Sequence, residues 1–446
     1  MTNNSNKTRP VRTLTVKNFS VIEDAKLEFG KITVLIGPQA SGKSLLCKLA
    51  YFLSKQAIEN ALVAILSQRS ADQSTFDEFK SSLSRDFLAW FPLETWHSEG
   101  ATVTFESQAF RVRVFATKQL DGVGLEFSPD FETLFDSLVN QVQRVPAAGA
   151  DSRRYIADQV SAQFYLLLTG TFVDRPVYIP DGRAFFTNQT LGFSLVNNPD
   201  IHPILKEFSL EVSWGGAPSI NHVLGEEGVR ILHEIRSEII RIAGGGVEGR
   251  NGSARFRRIL DGKSIPLPLL SSGTQTLLPM FNLLWRVITE QRGRILFPRP
   301  DNLSGMPNQI IESLGLVYVE EPEANIFPST QYDLIRLFAW LSREWRLDFS
   351  WVITTHSPYV LSSFNNLIFA GQLGRDKRLK KKIKIDARFW IEPETFKAYS
   401  IHDGKLESIL SDTGLINGEY LDSVSETIGN EFDEMLRLEY GTKKAS

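Results

Sequence analysis

The chain has 446 residues and a mass of 50.3 kDa, with 42% hydrophobic and 23% charged residues, a globular composition too apolar for disorder. Its 49 basic and 52 acidic residues leave a net charge of −3, so the chain as a whole is no basic glove for nucleic acid. Cys47 is the only cysteine, which excludes an internal disulfide and cysteine-built zinc sites, and the six histidines are too dispersed to pair as metal ligands. The start, MTNNSNKTRP, has no apolar signal core, and no unbroken apolar run reaches about 18 residues, so a cytoplasmic chain without a membrane span is expected.

Residues 11–16 and 21–29 predict two strands, the second ending at Gly30. Ile32-Thr33-Val34-Leu35-Ile36 is a continuous, β-branched apolar run and predicts a buried parallel strand. A glycine-rich loop and an apolar helix over 45–53 follow. The stretch 55–175 is less regular. Helices are predicted over 76–91, 130–143 and 153–169, a hairpin from 101–106 and 110–116, and a loop at 145–151. Residues 176–180 predict another buried strand. A long helix over 217–243 runs into a glycine-rich segment, and strands 253–260 and 263–268 lead to a helix from Ser271 to about residue 290. Residues 316–319 predict a buried strand ending in two carboxylates, 329–345 a helix, and 351–355 the last core strand, with His356 at its end.

Gly37-Pro38-Gln39-Ala40-Ser41-Gly42-Lys43-Ser44 fits the pattern G-x-x-x-x-G-K-[ST], with the strand before and the helix after that the pattern requires. The glycines let backbone N–H groups wrap a phosphate, and the helix adds the positive end of its dipole. Lys43 would reach the β- and γ-phosphates of ATP, and the Ser44 hydroxyl would bind Mg2+. Glu320 and Glu321 close a hydrophobic strand; the first can hold the Mg2+ shell and the second can act as general base on the attacking water. Glu320 stands where Asp is more usual, and its longer side chain must bend to the same metal geometry, which is compatible with slow turnover. Ser272-Gly273 opens a helix and reads either as a second phosphate-binding surface or as a plain helix cap. His356 reads either as a hydrogen-bond donor to a γ-phosphate or as an ordinary polar strand end. Cys47 reads as core.

These four pieces, in this order, resemble the head of an ABC-type ATPase: P-loop, signature, Walker B with catalytic glutamate, and histidine switch. SSGTQ stands where LSGGQ stands in that family, with Thr274 for the second glycine. VYVEEPEANIFPSTQ and ITTHSPYVLSSFNN are similar to stretches of the OLD/RecF/SMC-like branch, as is KNFSVIEDAKLEFGKITVLIGP. Phe327 replaces a histidine common in that branch, no clear Q-loop glutamine is present (Gln189 is a poor substitute), and Arg183 resembles an arginine these ATPases often carry after the preceding strand.

The resemblance implies an α/β fold: a RecA-like P-loop ABC ATPase head with an antiparallel β-subdomain and a helical insertion. Expected boundaries are 1–54 and 266–370 for the two parts of the head, 55–265 for an inserted lid or arm, and 371–446 for a C-terminal extension. It implies ATP and Mg2+ as cofactors and a head-to-head dimer or higher oligomer, each head offering Ser272 and Gly273 to the nucleotide on the other's Lys43. The insertion is too short for a true SMC coiled coil, and the 90 residues after His356 hold no D-x-D pair of the TOPRIM nuclease domain of full OLD proteins. A stand-alone sensor or regulatory ATPase of a prokaryotic anti-phage system of the Septu kind, working with a separate nuclease or toxin effector, is therefore expected. A RecF-like ATPase that clamps DNA and a slow, ATP-stabilised oligomeric scaffold are the alternatives. One motif lies outside this scheme. Residues 375–384 hold seven basic residues and one acidic, and could contact DNA or RNA phosphates or form a solvated surface.

Overall fold

The computed structural model describes residues 12–67, 75–96, 98, 100–107, 110–117, 122–144, 157, 159–161, 163–164, 176–187, 198–212, 225–249, 254–290, 315–344, 349–417 and 435. The strands are β1 (Arg12–Phe19), β2 (Ile22–Phe29), β3 (Ile32–Ile36), β4 (Thr102–Ser107), β5 (Phe110–Ala116), β6 (Val123–Phe127), β7 (Val177–Ile179), β8 (Gly245–Glu248), β9 (Arg255–Arg258), β10 (Ser264–Pro266), β11 (Leu316–Glu320), β12 (Ser350–Thr355), β13 (Phe396–His402) and β14 (Lys405–Ser408). The principal helices are α1 (Lys43–Tyr51), α2 (Ala57–Ser67), α3 (Thr75–Trp90), α4 (Pro129–Gln143), α5 (Pro203–Glu211), α6 (Gly225–Ala243), α7 (Ser272–Glu290), α8 (Pro328–Arg343), α9 (Pro358–Leu373) and the short α10 (Lys377–Lys380).

Eleven strands form one sheet in the order β6-β5-β4-β1-β2-β14-β13-β3-β12-β11-β7. From β13 to β7 every pairing is parallel, and β1, β2, β4, β5 and β6 pair antiparallel. This is the expected α/β head, with an antiparallel subdomain on a parallel core. The difference is legible residue by residue. Every residue of β11 and β12 is buried, as a parallel strand covered on both faces requires, whereas β5 alternates buried and exposed. The pleat sends neighbours to opposite faces. Val34, Val317, Val319, Trp351 and Ile353 join the core under α7, α8 and α9, while Leu35, Leu316, Tyr318 and Val352 join the core with α1, α3 and α4.

Several expectations change. β13 is a central strand, parallel to β3, although 351–355 is the last core strand the sequence predicts. FKAYSIH alternates Lys397 with apolar residues and lacks the continuous run that marks its neighbours. β6 is also unforeseen, because Gly124 breaks its pattern; the Phe115 ring packs on that glycine. β4 to β7 come from the segment assigned to an inserted arm, and β13 and β14 from the assigned extension, yet all six lie in the one sheet. The 253–260 and 263–268 pair becomes β9 and β10, which form a separate three-stranded sheet with β8. Of the helix expected over 153–169, the described residues 157, 159–161 and 163–164 are helical. The loop at 145–151, the start of the 217–243 helix and Gln189 lie outside the described residues.

α1 continues through a π-helical turn at Phe52–Gln56 into α2. By length and composition this stretch, Lys43–Ser67, could cross a membrane, which the lack of an unbroken apolar run did not anticipate; 61% of its most apolar window is buried inside the protein, as in a core helix. Lys55 in that turn is buried and ion-paired with Glu207 and Glu211 of α5.

Helices α3 and α4 and strands β5 and β6 are held together by phenylalanines. Phe131 of α4 stacks on Phe127 at 5.1 Å and meets Phe110 edge-on at 5.1 Å, while Phe76 and Phe79 of α3 pack on Phe135. Phe131 is 1% exposed. Phe131→Ala should destabilise the protein by about 3–5 kcal/mol. Urea unfolding should show this as a lower midpoint at unchanged slope.

Candidate active site

Three parallel strands end side by side: Thr355 of β12 pairs with Ile36 of β3, and Thr354 with Glu320 of β11. Ligands of open α/β sheets sit in the crevice beyond such carboxyl ends. The chain leaves β3 through Gly37–Gly42 and enters α1. Gly37 (φ 154°) is pressed against β13, where an added Cβ would stand 2.5 Å from the Ile401 carbonyl oxygen. Gly42 (φ 102°) would bring a Cβ to 3.0 Å from Ile22 and 3.1 Å from Val21. Ala40 also takes a positive φ, 59°, a conformation L-residues adopt at a cost of roughly 1–2 kcal/mol. Gly42 is the N-cap of α1 and has no side chain to cap it, which leaves first-turn N–H groups for an anion. Gln39 is exposed, and Ser41 and Ser44 are half-buried. The Lys43 ammonium folds over its own loop, donating to the carbonyls of Gly37 (2.9 Å) and Pro38 (2.7 Å) and reaching the Ser41 hydroxyl at 3.5 Å. Burial lowers its pKa, and Glu321 and Glu323 oppose that shift.

Glu320 is buried on the α1 face of the sheet, beside Cys47, whose thiol is pushed up by burial first and by Glu320 second. Its carboxylate accepts from the Tyr178 hydroxyl at 2.8 Å and from the Asp181 N–H at 3.0 Å. Burial, then the charge of Glu320, keeps Tyr178 protonated. Glu321 leaves the strand at φ 41°, with its N–H donating to the Thr354 carbonyl at 3.0 Å. This turn places the Glu321 carboxylate 3.3 Å from Nε2 of His356. Burial raises the Glu321 pKa, His356 lowers it, and Asp181 and Glu323 raise it further. Glu323 is also buried: Oε1 accepts from the Thr355 hydroxyl (2.6 Å) and the His356 N–H (2.9 Å), while Oε2 has no hydrogen-bond partner.

Arg183 has a role that its place in the sequence does not disclose. It is wholly buried, and it donates to the carbonyls of Thr276 (3.1 Å), Pro180 (3.1 Å), Glu320 (2.8 Å) and Glu321 (2.9 Å). One guanidinium thus ties the end of β7, the Glu320-Glu321 corner and the first turns of α7. Burial lowers its pKa to about 10, against the carboxylates around it. Its position after a predicted strand, beside Asp181-Gly182, was the only signal. Tyr178 and Thr355 also went unread as site neighbours, because a tyrosine or threonine in an apolar strand looks like core.

Lys43, Glu320, Glu321 and His356 gather at the strand ends. Ser272 and Gly273 do not join them: among the described residues, no hydrogen bond links either to 37–44. They open α7, bound to the site through Arg183 on Thr276 and through Gly273, whose added Cβ would stand 2.7 Å from the Asn325 carbonyl oxygen. Ser271 does the local capping, bonding the Thr274 hydroxyl at 3.0 Å and accepting from its N–H at 3.4 Å. Thr274 therefore serves the cap from the place of the second signature glycine, and Ser272 stays exposed.

Among the described residues, no three His, Cys, Asp or Glu side chains form a metal-binding group. A Mg2+ carried in on nucleotide phosphates needs less, a hydroxyl and one or two carboxylates with water completing its shell. The donor set fits that demand: Asp181, Glu320, Glu321 and Glu323 outnumber Lys43 and Arg183, and one buried carboxylate oxygen of Glu323 is unpartnered.

Arg183→Lys should lower stability by at least about 2 kcal/mol, since an ammonium cannot span four carbonyls in a planar fork. The melting temperature should fall accordingly; an unchanged value would mean the clamp is dispensable.

A family profile described as an AAA ATPase domain matches residues 199–361. That match takes in Ser272, Gly273, Glu320, Glu321 and His356 but not the P-loop. No curated protein matches the chain. Among solved structures, the chain is similar to an SMC head domain from Thermotoga maritima, at 12% identity and TM-score 0.36, covering 91% of this chain and 100% of that one. It is also similar to an Smc head with an extended coiled coil bound to the C-terminal domain of ScpA from Pyrococcus furiosus, at 13% identity and TM-score 0.33, over 90% of this chain and 96% of that one. A third is the ADP conformation of an ATP-binding cassette of an ABC transporter, at 12% identity and TM-score 0.32, over 90% of each chain. The α/β fold itself rests on the strand order and pairing described above.

Proposed function

We propose that this chain is an ATPase that binds ATP on Gly37–Ser44 and hydrolyses it with Glu321 as general base. The observation that carries the reading is the pairing of Glu321 with His356 at 3.3 Å, held by a left-handed turn at the end of β11, beside Lys43. Lys43 turns from the loop carbonyls to the β- and γ-phosphates. Ser44 and Glu320 would hold Mg2+, which offsets phosphate charge when bound. Glu321 accepts the proton of the attacking water, and its raised pKa makes it the stronger acceptor once ionised at neutral pH. His356 fixes the direction of that carboxylate and presents its ring to the γ-phosphate.

The reading extends to two copies closing on the nucleotide, each offering Ser272 and Gly273 to the other's Lys43. Large apolar side chains stand exposed on the segments that carry the site: Phe185 at 68%, Leu269 at 73% and Phe327 at 75%. A second copy would cover them. The regulatory role we assign is that of a sensor or control subunit in a prokaryotic anti-phage system with a separate nuclease or toxin effector, supported by the likeness of 317–331 and 353–366 to that branch of ATPases. A tagged chain co-expressed with its genomic neighbours should retain such a subunit; retention of none would remove the effector role and leave the ATPase reading standing.

Lys43→Ala should abolish binding of mant-ATP, because it removes the cation for the β- and γ-phosphates. Glu321→Gln should bind mant-ATP like the wild type and turn over at least about 100-fold more slowly, since an amide cannot take the water's proton. Wild-type turnover by Glu321→Gln would move the base elsewhere, with Glu323 next in line.

Catalysis across two copies has its own test. Ser272→Arg and Lys43→Ala should each be inactive alone. Mixed, they form one site with both defects and one with neither, so hydrolysis should partly return. Inactivity at every ratio, with mixed assemblies confirmed by size, would reduce Ser272 to a surface residue of α7 or require both sites to fire together.

A further inference from the structure

The basic run at 375–384 is neither a loose loop nor a uniformly charged face. Arg375 is committed to Glu394 at 2.6 Å, and Arg378 to Asp376 at 3.0 Å. Asp376 also caps α10 by accepting from the Arg378 N–H at 2.8 Å. At the base of the segment the Trp390 ring packs on Gly374, and its Nε1 donates to the Ile385 carbonyl at 2.9 Å. The local acids and the tryptophan therefore hold a compact turn. What that turn displays is lysine: Lys377, Lys380, Lys381, Lys382 and Lys384 are all exposed, and among the described residues none forms an ion pair. Lys380 lies 6.0 Å over the Trp390 ring, which leaves its ammonium donors available.

Like charges crowded onto a fixed turn repel one another, and the neighbouring carboxylates are spent on the arginines. The segment carries net +6 in a chain at −3, so the remainder sums to −9. Attraction to a polyanion must therefore be focused here. An anionic membrane is the poorer fit: stable interfacial binding draws on buried apolar area as well as charge, and Leu379, 37% exposed, is the one large hydrophobic residue displayed in the turn.

We infer that Lys377–Lys384 is a binding site for the phosphodiester backbone of nucleic acid, contacted without reading of bases. α9 joins it to the strand ends. That helix begins at Pro358, two residues after His356, and its 16 residues span about 24 Å to the lysine turn. The lysines and His356 stand at opposite ends of this helix, and the lysine site does not depend on the nucleotide reading.

The test uses the full chain and fluorescein-labelled 30-base-pair duplex DNA, with the same sequence as duplex RNA in a second arm, followed by anisotropy from 50 to 200 mM KCl. Wild type should bind with an affinity that falls on a log–log plot with a slope of roughly −3 to −5, the slope being about 0.9 for each phosphate contacted. Replacing all five lysines by glutamine should weaken binding at least tenfold at 50 mM KCl and flatten the slope. Replacing all five by arginine should preserve both. Lys43→Ala should bind as wild type, and the melting temperature and mant-ATP affinity of the glutamine variant should stay unchanged. Binding of both duplexes supports a backbone site; binding of one assigns it to the helix form of that duplex. Equal affinity of wild type and the glutamine variant would overturn the proposal, as would no binding to either duplex at 50 mM KCl, or binding only to phosphatidylserine vesicles.

Discussion

The active-site corner depends on Arg183. A buried guanidinium is costly unless its N–H groups find acceptors, and here four of the five donate to backbone carbonyls from three segments. The acceptors are carbonyls rather than carboxylates, so Glu320 and Glu321 keep their side chains for other partners while their backbone is fixed. Because Thr276 is one of the four, a shift of the Glu320-Glu321 corner must either move α7 or break a buried hydrogen bond. Ser272 is thereby coupled to chemistry it does not touch.

Much of this was legible in the sequence where the physics is local. A phosphate loop needs glycines at fixed places between a strand and a helix, so residues 37–44 announce themselves. A fully covered parallel strand must be apolar throughout, so Ile32–Ile36 and Leu316–Val319 do too. The paired carboxylates and His356 follow from standing at the ends of such strands. What could not be read depends on partners far away in the chain. Phe396–His402 is covered by the sheet only after it has reached β3, and Lys397 masks it as an edge. Glu323 can be singled out from its place two residues after Glu321, but its contacts with Thr355 and His356 cannot. Arg183 could be noticed from its position, but its buried clamp needs Thr276 and Glu320 brought together in space. That β4 to β7 share the main sheet could not be read for the same reason: a break in local periodicity is not a break in the sheet.

Charge is arranged differently at the two ends of α9. At His356 the carboxylates outnumber the cations, and burial amplifies the imbalance, raising Glu321 and leaving one oxygen of Glu323 without a donor. At Lys377–Lys384 the cations outnumber the carboxylates in full solvent. Among the described residues neither excess is relieved, and each is of the sign that a ligand of opposite charge would offset.

The contact between Gly37 and the Ile401 carbonyl has a consequence for how this protein comes into being. The first residue of the phosphate loop is shaped by a strand synthesised far later than the loop itself, and residues 32–36 must wait for residues 396–400 before that side of the strand is paired. Such pairing closes a very long loop, which is slow because the entropy of closure is lost before the contact forms. A nascent chain on the ribosome therefore carries the complete G-x-x-x-x-G-K-S sequence long before it has a finished cradle for phosphate. The phosphate loop proposed to bind nucleotide is thus completed late, by chain topology alone.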